Sequence, residues 1–303
     1  VGSWFVKDVG QLWIGPVSFR LEAAPELNVR YSRWAYAGFY VPAPAGAAPV
    51  DALTVRIRRG ALPPPESEPL WRGGLNWAAW ESGAELILCA GFAGRNHARW
   101  HCRVDRALTR AELTVACGAE VCEAPLEYPL DQILTWGLLA RAGGVLLHAA
   151  VAVHDGRGLV LAGRSGAGKS TLANLCHEAG WQILNDDRVL VYPTADGWRV
   201  AGTPWHGSGR FAVADTVPLA GVCLLQQAAT EWLEEVPPSM ARLALLDVAA
   251  VPWFLDDWAQ AALDGLDNML GSVPVRRFHF TKQPAAVAAL AELQDGRLAE
   301  VSA

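Results

Sequence analysis

Leu159-Val160-Leu161-Ala162-Gly163-Arg164-Ser165-Gly166-Ala167-Gly168-Lys169-Ser170 joins a short apolar run to a glycine-rich octapeptide ending in Lys-Ser. Residues 163–170 match GxxxxGK[ST] at every position. The context agrees, with a strand predicted over Leu159–Ala162 and a helix over Lys169–Glu178. Glycines let consecutive backbone N–H groups turn toward a polyphosphate, and the helix start adds the positive end of its dipole. Lys169 has the reach for the β/γ-phosphates, and the Ser170 hydroxyl can ligate Mg²⁺. The plain alternative, a glycine turn without a ligand, leaves the lysine, the serine and the register of the helix unexplained. The motif implies a nucleoside triphosphate with Mg²⁺, held by Gly163, Arg164, Ser165, Gly166, Ala167, Gly168, Lys169, Ser170 and Thr171.

The segments around this loop read as alternating strands and helices from about Pro129. Asp131–Ala142 carries Ile133, Leu134, Leu138 and Leu139 at helical spacing and stops at Gly143-Gly144. Val145–His154 reads as a strand, and the Asp155-Gly156 turn returns it as a hairpin to Leu159–Ala162. After the helix come strands at Trp181–Leu184 and Arg188–Tyr192, a second Asp196-Gly197 turn, and strands at Trp198–Ala201 and Val222–Leu225. Helices are expected over Pro238–Ala250, Leu255–Leu270 and Gln283–Leu293, with a strand at Val273–Phe280. The class is α/β, with antiparallel hairpins mixed into the sheet.

Two further features stand at suggestive distances. Asp186 and Asp187 lie 16 and 17 residues after Ser170, in Leu184-Asn185-Asp186-Asp187-Arg188-Val189, where one strand ends and the next begins. Adjacent carboxylates suit two tasks, holding Mg²⁺ and taking a proton from an acceptor hydroxyl, although an Asp pair also caps a plain turn. His148, in Leu146-Leu147-His148-Ala149-Ala150, lies 15 residues before Gly163. A single His in an apolar strand is equally at home as a satisfied core residue.

Together, the order His–15–Gly and Ser–16–Asp-Asp-Arg-Val resembles bacterial HPr kinase/phosphorylase and its HPr-kinase-related relatives. That family is similar to the C-terminal domain of ATP-dependent phosphoenolpyruvate carboxykinase. The resemblance is tight over Leu146–Val191 and loose from Pro129 to the C-terminus. It implies a P-loop kinase core on a mixed, partly antiparallel sheet. It also implies roles: Lys169 and Ser170 for phosphate and Mg²⁺, Asp187 as general base, Asp186 as a carboxylate beside the metal, and His148 near the acceptor. The stretch in which these kinases carry an acidic, Arg-Gly-containing signature is here Gly202-Thr203-Pro204-Trp205-His206-Gly207-Ser208-Gly209-Arg210, with no Glu. That departure points away from HPr and from the reverse reaction. It is more similar to the HPr-kinase-like proteins of peptide-modification clusters, which act on a Ser of a precursor peptide. The glycine-rich backbone with His206 and Arg210 reads as an anion-binding loop or a surface loop. Arg276 and Arg277 alternate across a strand, so one of them can serve as an arginine finger, with solvated arginine as the alternative. His154 and His177 read as structural.

Residues 1–125 have another texture: Trp, Arg and short alternating runs such as Leu53-Thr54-Val55-Arg56-Ile57-Arg58, punctuated by Pro/Ala/Gly stretches. They predict a β-rich module that carries no catalytic motif, its Trp residues packing the core or forming a peptide-binding face. The division is thus 1–125 and 126–303. With 303 residues, 52% hydrophobic, the chain has ample core for two domains. A net charge of −6 argues against nucleic acid or an anionic membrane as partner. Residues 1–8 lack the basic-then-apolar order of a signal peptide, and no apolar run is long enough to span a bilayer, so a cytoplasmic protein is expected. Six cysteines without a CxxC pair read as buried thiols, and His97-x3-His101-Cys102 is the one metal-like spacing. The expected activity is an ATP- and Mg²⁺-dependent kinase acting on a hydroxyl, with Ser of a peptide or small protein as acceptor. A small-metabolite kinase and a non-catalytic nucleotide-binding regulator or assembly partner are the other two readings. The sequence sets no oligomeric state.

Overall fold

A computed structural model of the chain describes all residues except 1–3, 7–8, 32, 43–51, 62–64, 74–76, 91–99, 117–120, 295–299 and 302–303. The chain forms two compact units. One comprises Val1–Trp13 and Val17–Leu138, the other Ile14–Pro16 and Leu139–Ala303. The division falls at 138/139, beyond the change in texture at 125/126, because residues 126–138 are tied to the first unit. There the Tyr36 hydroxyl donates to the fully buried Asp131 carboxylate at 2.6 Å and accepts the Tyr128 N–H at 3.0 Å. Among the described residues no helix is long and apolar enough to cross a membrane.

The first unit is β-rich. Its strands are β1 (Trp4–Val6), β2 (Val9–Ile14), β3 (Val17–Ala23), β4 (Asn28–Tyr31), β5 (Tyr40–Pro42), β6 (Leu53–Arg59), β7 (Trp71–Gly73), β8 (Trp77–Ser82), β9 (Glu85–Ala90), β10 (Trp100–Asp105), β11 (Arg110–Val115) and β12 (Val121–Glu123). Nine of them form one sheet in the order β5-β2-β3-β6-β11-β10-β9-β8-β7, and β1-β4-β12 form another. The alternation read in residues 53–58 is real: Leu53, Val55 and Ile57 are buried, while Arg56 faces out and pairs with its cross-strand neighbour Glu22 at 3.0 Å. In β10 the same period puts Cys102 in the core and His101 on the opposite face. Burial, then Arg103 and Arg58, lowers the His101 pKa, a setting that repels a cation. His97 lies outside the described residues.

After α1 (Leu130–Arg141), the second unit carries β13 (Val145–Leu147), β14 (Ala149–His154), β15 (Arg157–Ala162), α2 (Lys169–Glu178), β16 (Gln182–Asn185), β17 (Val189–Thr194), β18 (Gly197–Ala201), β19 (Thr216–Gln227), β20 (Trp232–Glu235), α3 (Pro238–Leu246), α4 (Asp256–Leu270), β21 (Val275–Phe280), α5 (Ala285–Gln294) and β22 (Glu300–Val301). Its ten strands form one mixed sheet, with the main path β13-β17-β18-β19-β15-β14-β16. β15 lies antiparallel to β14 and parallel to β19, which is in turn parallel to β21. Both faces are covered, which is why these strands read as continuous apolar runs. Ala149, Val151 and Val153 of β14 face the core shared with α3 and α4, whereas Ala150 and Ala152 face the one shared with α2 and α5.

The structure departs from the sequence reading in ways that matter for the site. The single strand expected over Val145–His154 breaks at His148, which separates β13, paired with β17, from β14, paired with β15 and β16. The helix expected over Pro238–Ala250 ends at Leu246, because residues 248–250 run along β13 instead. There the His148 N–H donates to Val248 O at 2.7 Å and the Ala250 N–H to Leu146 O at 2.8 Å. Val222–Leu225 is the middle of a 12-residue strand, and the acidic β20 was not foreseen.

Candidate functional site

β15 delivers the chain into the glycine loop at Gly163, where an added Cβ would come within 2.7 Å of Ala167. The loop therefore closes on itself. Gly166 and Gly168 take positive φ values of 83° and 106°, and a Cβ on Gly168 would meet the Phe280 ring at 2.7 Å. The Gln227 side-chain amide donates to Gly166 O at 2.9 Å, so β19 holds one flank of the loop, and Arg164 pairs with Asp247 at 2.6 Å on the other. α2 starts at Lys169 with Gly168 as its N-cap and no side-chain cap. The N–H groups of Lys169, Ser170 and Thr171 thus begin the helix without intrahelical acceptors, at the positive end of its dipole. This arrangement fits a polyphosphate: open amides at a helix start, with a lysine on the first turn.

The Lys169 ammonium is buried and donates to Gly163 O at 2.6 Å. Burial lowers its pKa, opposed by the charge of Asp187 and reinforced by Arg188. Asp187 in turn feels Lys169. The loop lysine thus lies within electrostatic reach of Asp187 and Arg188.

His148 and Asp187 meet because each sits where the chain passes between the two halves of the sheet. His148 joins β13 to β14, and residues 186–188 join β16, the partner of β14, to β17, the partner of β13. His148 Nδ1 lies 2.8 Å from Asp187 Oδ1 and 2.9 Å from Asp187 O. Both neighbours are acceptors, so Nδ1 carries the proton and donates. Burial, the largest single effect, would raise the Asp187 pKa. The His148 hydrogen bond and the charges of Arg188, His148 and Lys169 outweigh it and hold the carboxyl below the ordinary range.

Asn185, which the sequence analysis passed over, organises this corner. Fully buried at the end of β16, it accepts the N–H groups of Asp187 (2.7 Å) and Arg188 (2.8 Å) and donates to Thr203 O at 2.8 Å. Thr203, also fully buried, donates its hydroxyl to Arg188 O at 2.7 Å. The acidic segment is thereby sewn to the glycine-rich segment 202–210. The signal was present as Asn directly before Asp-Asp, a residue type that bonds nearby backbone in turns.

Asp186 is the more enclosed of the two carboxylates. It is 2% exposed, and its two oxygens accept the N–H groups of Gly207 (2.9 Å) and Gly209 (2.7 Å). The carboxylate open to solvent is Asp187, with 31% of its side chain exposed. The same bonds correct the reading of residues 206–210 as an anion nest. The amides of Gly207 and Gly209 are given to Asp186, that of His206 to Pro204 O and that of Arg210 to Gly207 O. Arg210 itself is exposed.

Other candidates have visible partners. Arg277 pairs with Glu234, which also accepts from His279 Nε2 at 2.8 Å, while Arg276 lies 3.7 Å from Glu235. β20 thus supplies counter-charges for both arginines, and neither is left as an unengaged finger. His154 stacks on Trp181 at 4.4 Å, and His177 meets Phe211 edge-on at 5.1 Å. Cys89, Cys102, Cys176 and Cys223 are buried thiols, and burial pushes that of Cys176 up to about 12. Cys117 lies outside the described residues. Among the described residues no group of three or more His, Cys, Asp or Glu is arranged to hold a metal ion.

No curated protein matches the chain. A solved structure, the Hpr(Ser) kinase/phosphatase from Coxiella burnetii, is similar over 50% of this chain and 95% of its own, at 14% identity and a TM-score of 0.28. The family described as SynChlorMet cassette protein ScmC matches residues 133–269, a stretch that contains His148, the whole glycine loop and the Asp186–Asp187 pair.

Proposed function

We propose that the second unit is a phosphotransferase that moves the γ-phosphate of Mg·ATP to a hydroxyl, the acceptor being a Ser of a peptide or small protein. What carries the reading is the company of Lys169: the lysine of a glycine loop within electrostatic reach of a carboxylate that is itself hydrogen-bonded to a histidine. Nucleotide binding alone has no use for that last pair.

In this mechanism the amides that open α2 and the Lys169 ammonium bind and orient the phosphates, and the loop excludes water from their inner side. The Ser170 hydroxyl would hold Mg²⁺, whose charge would offset that of the phosphates. Asp187 accepts a hydrogen bond from the acceptor hydroxyl and aligns its oxygen. As the new O–P bond forms and the bond to ADP breaks, the hydroxyl proton passes to Asp187, with His148 fixed against it through Nδ1. A carboxylate with lowered proton affinity is a weak base, so its main work is alignment, and the proton moves late.

The test is transfer from γ-labelled ATP with Mg²⁺ into Ser- and Thr-containing peptides encoded beside the gene, with Asp187→Asn as control. Label on a hydroxyl residue that disappears in the variant is the expected result. Equal labelling by the variant removes Asp187 from the chemistry. Nucleotide binding with background turnover toward every peptide moves the acceptor to a small metabolite.

A further inference from the structure

We propose that Asp186 is a positioning residue: its carboxylate holds residues 206–210 as the acceptor-side wall of the site, and it is not a ligand of the divalent cation. The catalytic part of this inference rests on the phosphotransferase reading; the anchoring part does not.

Four observations converge. Asp186 is almost wholly buried, and both of its oxygens are engaged by amides of another loop, those of Gly207 and Gly209. Hydrogen bonds to an ionised acceptor are the stronger kind, and each Asp186 oxygen already gives one of its lone pairs to an amide, so a cation would compete with both bonds for the carboxylate charge. The two glycines are also sterically committed. A Cβ on Gly207 would fall 2.7 Å from Asp186 Oδ2 and 3.2 Å from Asp187 Cβ, and one on Gly209 would fall 2.8 Å from Asp186 Oδ2. The loop therefore lies against Asp187 as well as Asp186, and its position sets the room beside Asp187. Finally, Arg210, directly after the clamped Gly209, takes a φ of 59°, a left-handed conformation that an arginine rarely adopts. A strained residue persists where its surroundings over-determine it, and here the two residues clamped by Asp186 lie just before Arg210, whose own N–H donates to Gly207 O at 3.3 Å. The sequence places two carboxylates side by side; the structure assigns one to the chemistry and the other to the wall around it.

The experiment has two arms. In the first, hydrogen–deuterium exchange of the Gly207 and Gly209 amides is followed by NMR in the full chain without nucleotide. Asp186→Ala should speed both amides at least about tenfold, and Asp186→Asn, which keeps one acceptor oxygen, should speed one more than the other. Should Asp186→Ala not fold, Gly209→Ala keeps the carboxylate but pushes the loop off it, and should speed the Gly207 amide likewise. Unchanged exchange in these variants overturns the anchor. In the second arm, the Mg²⁺ concentration that half-saturates ATP binding is measured for wild type and Asp186→Asn. An anchor leaves it within about twofold while turnover falls at unchanged KM for Mg·ATP; a cation ligand raises it about tenfold or more, which overturns the proposal. A wild type that binds no Mg·ATP defeats the phosphotransferase reading instead, and the exchange arm then decides the anchor by itself.

Discussion

The glycine loop 163–170 and the corner made by His148, residues 185–188 and residues 202–210 do comparable jobs by opposite means. The loop is contiguous: its conformation follows from glycines at the positions where φ is positive, and from a helix that begins immediately after them. The corner is assembled from three distant segments, and the bonds that hold it together cross between them. A contiguous motif is built from local backbone preferences and can be recognised as a string. A corner of this kind exists only if the sheet passes the chain across at the right places, so its residues look ordinary one by one.

The largest effect should come from the corner. Asp187→Asn is expected to lower transfer by roughly 10²–10⁴-fold, the usual worth of a positioned proton acceptor, with ATP affinity nearly intact. Equal losses of affinity and turnover would erase the contrast between loop and corner. Next comes the loop. Lys169→Ala removes a charge-assisted contact worth about 1.5–3 kcal/mol, so the Kd for Mg·ATP should rise roughly 10–100-fold by calorimetry. Unchanged binding would take the lysine out of the phosphate site.

Smaller effects sharpen the comparison within the loop. Gly166 and Gly168 both have positive φ, but a Cβ meets nothing within 4 Å at the first and the Phe280 ring at the second. Gly166→Ala should cost about 1–2 kcal/mol in urea unfolding, from backbone strain alone. Gly168→Ala should cost more, because strain and collision add. Equal costs would show that Phe280 yields freely. The smallest effect is one of pH. The Asp187 carboxyl is held below its ordinary value of 3.8, so the unfolded chain takes up its proton first as the solution is acidified. Its contribution to stability is present at neutral pH and is lost as pH falls through the lowered folded value. The difference in Tm between wild type and Asp187→Asn should therefore be widest near neutrality and close below about pH 4. A gap independent of pH would show that Asp187 contributes through its shape and not through its charge.

How far the sequence could be read depended on how local each feature is. The α2 boundaries, the two Asp-Gly hairpins and the alternation of β6 were legible because each rests on neighbours in the chain. The break at His148 was not, since Val145–His154 is apolar apart from His148 and His154 and the interruption comes from the different strand partners on its two sides. β20 was hidden because Trp232-Leu233-Glu234-Glu235 carries acids where a strand is expected to be apolar, and those acids are explained by Arg276, Arg277 and His279 on the neighbouring β21. Asn185 and Thr203 carried no signal beyond residue type, as their partners lie up to 18 residues away.

The sequence by itself determined that residues 163–170 form a loop between a strand and a helix, because glycine conformations and the open amides of a helix start are properties of a few consecutive residues. It also brought His148 and the Asp pair to notice through their spacing. Only the tertiary structure decided what each carboxylate faces. Asp186 and Asp187 are chemically identical neighbours, and their environments differ because successive residues at a chain crossing point in different directions: one into the amides of Gly207 and Gly209, the other toward His148 and Lys169. Burial and partners are long-range quantities, and they separate two residues that the sequence writes as a pair.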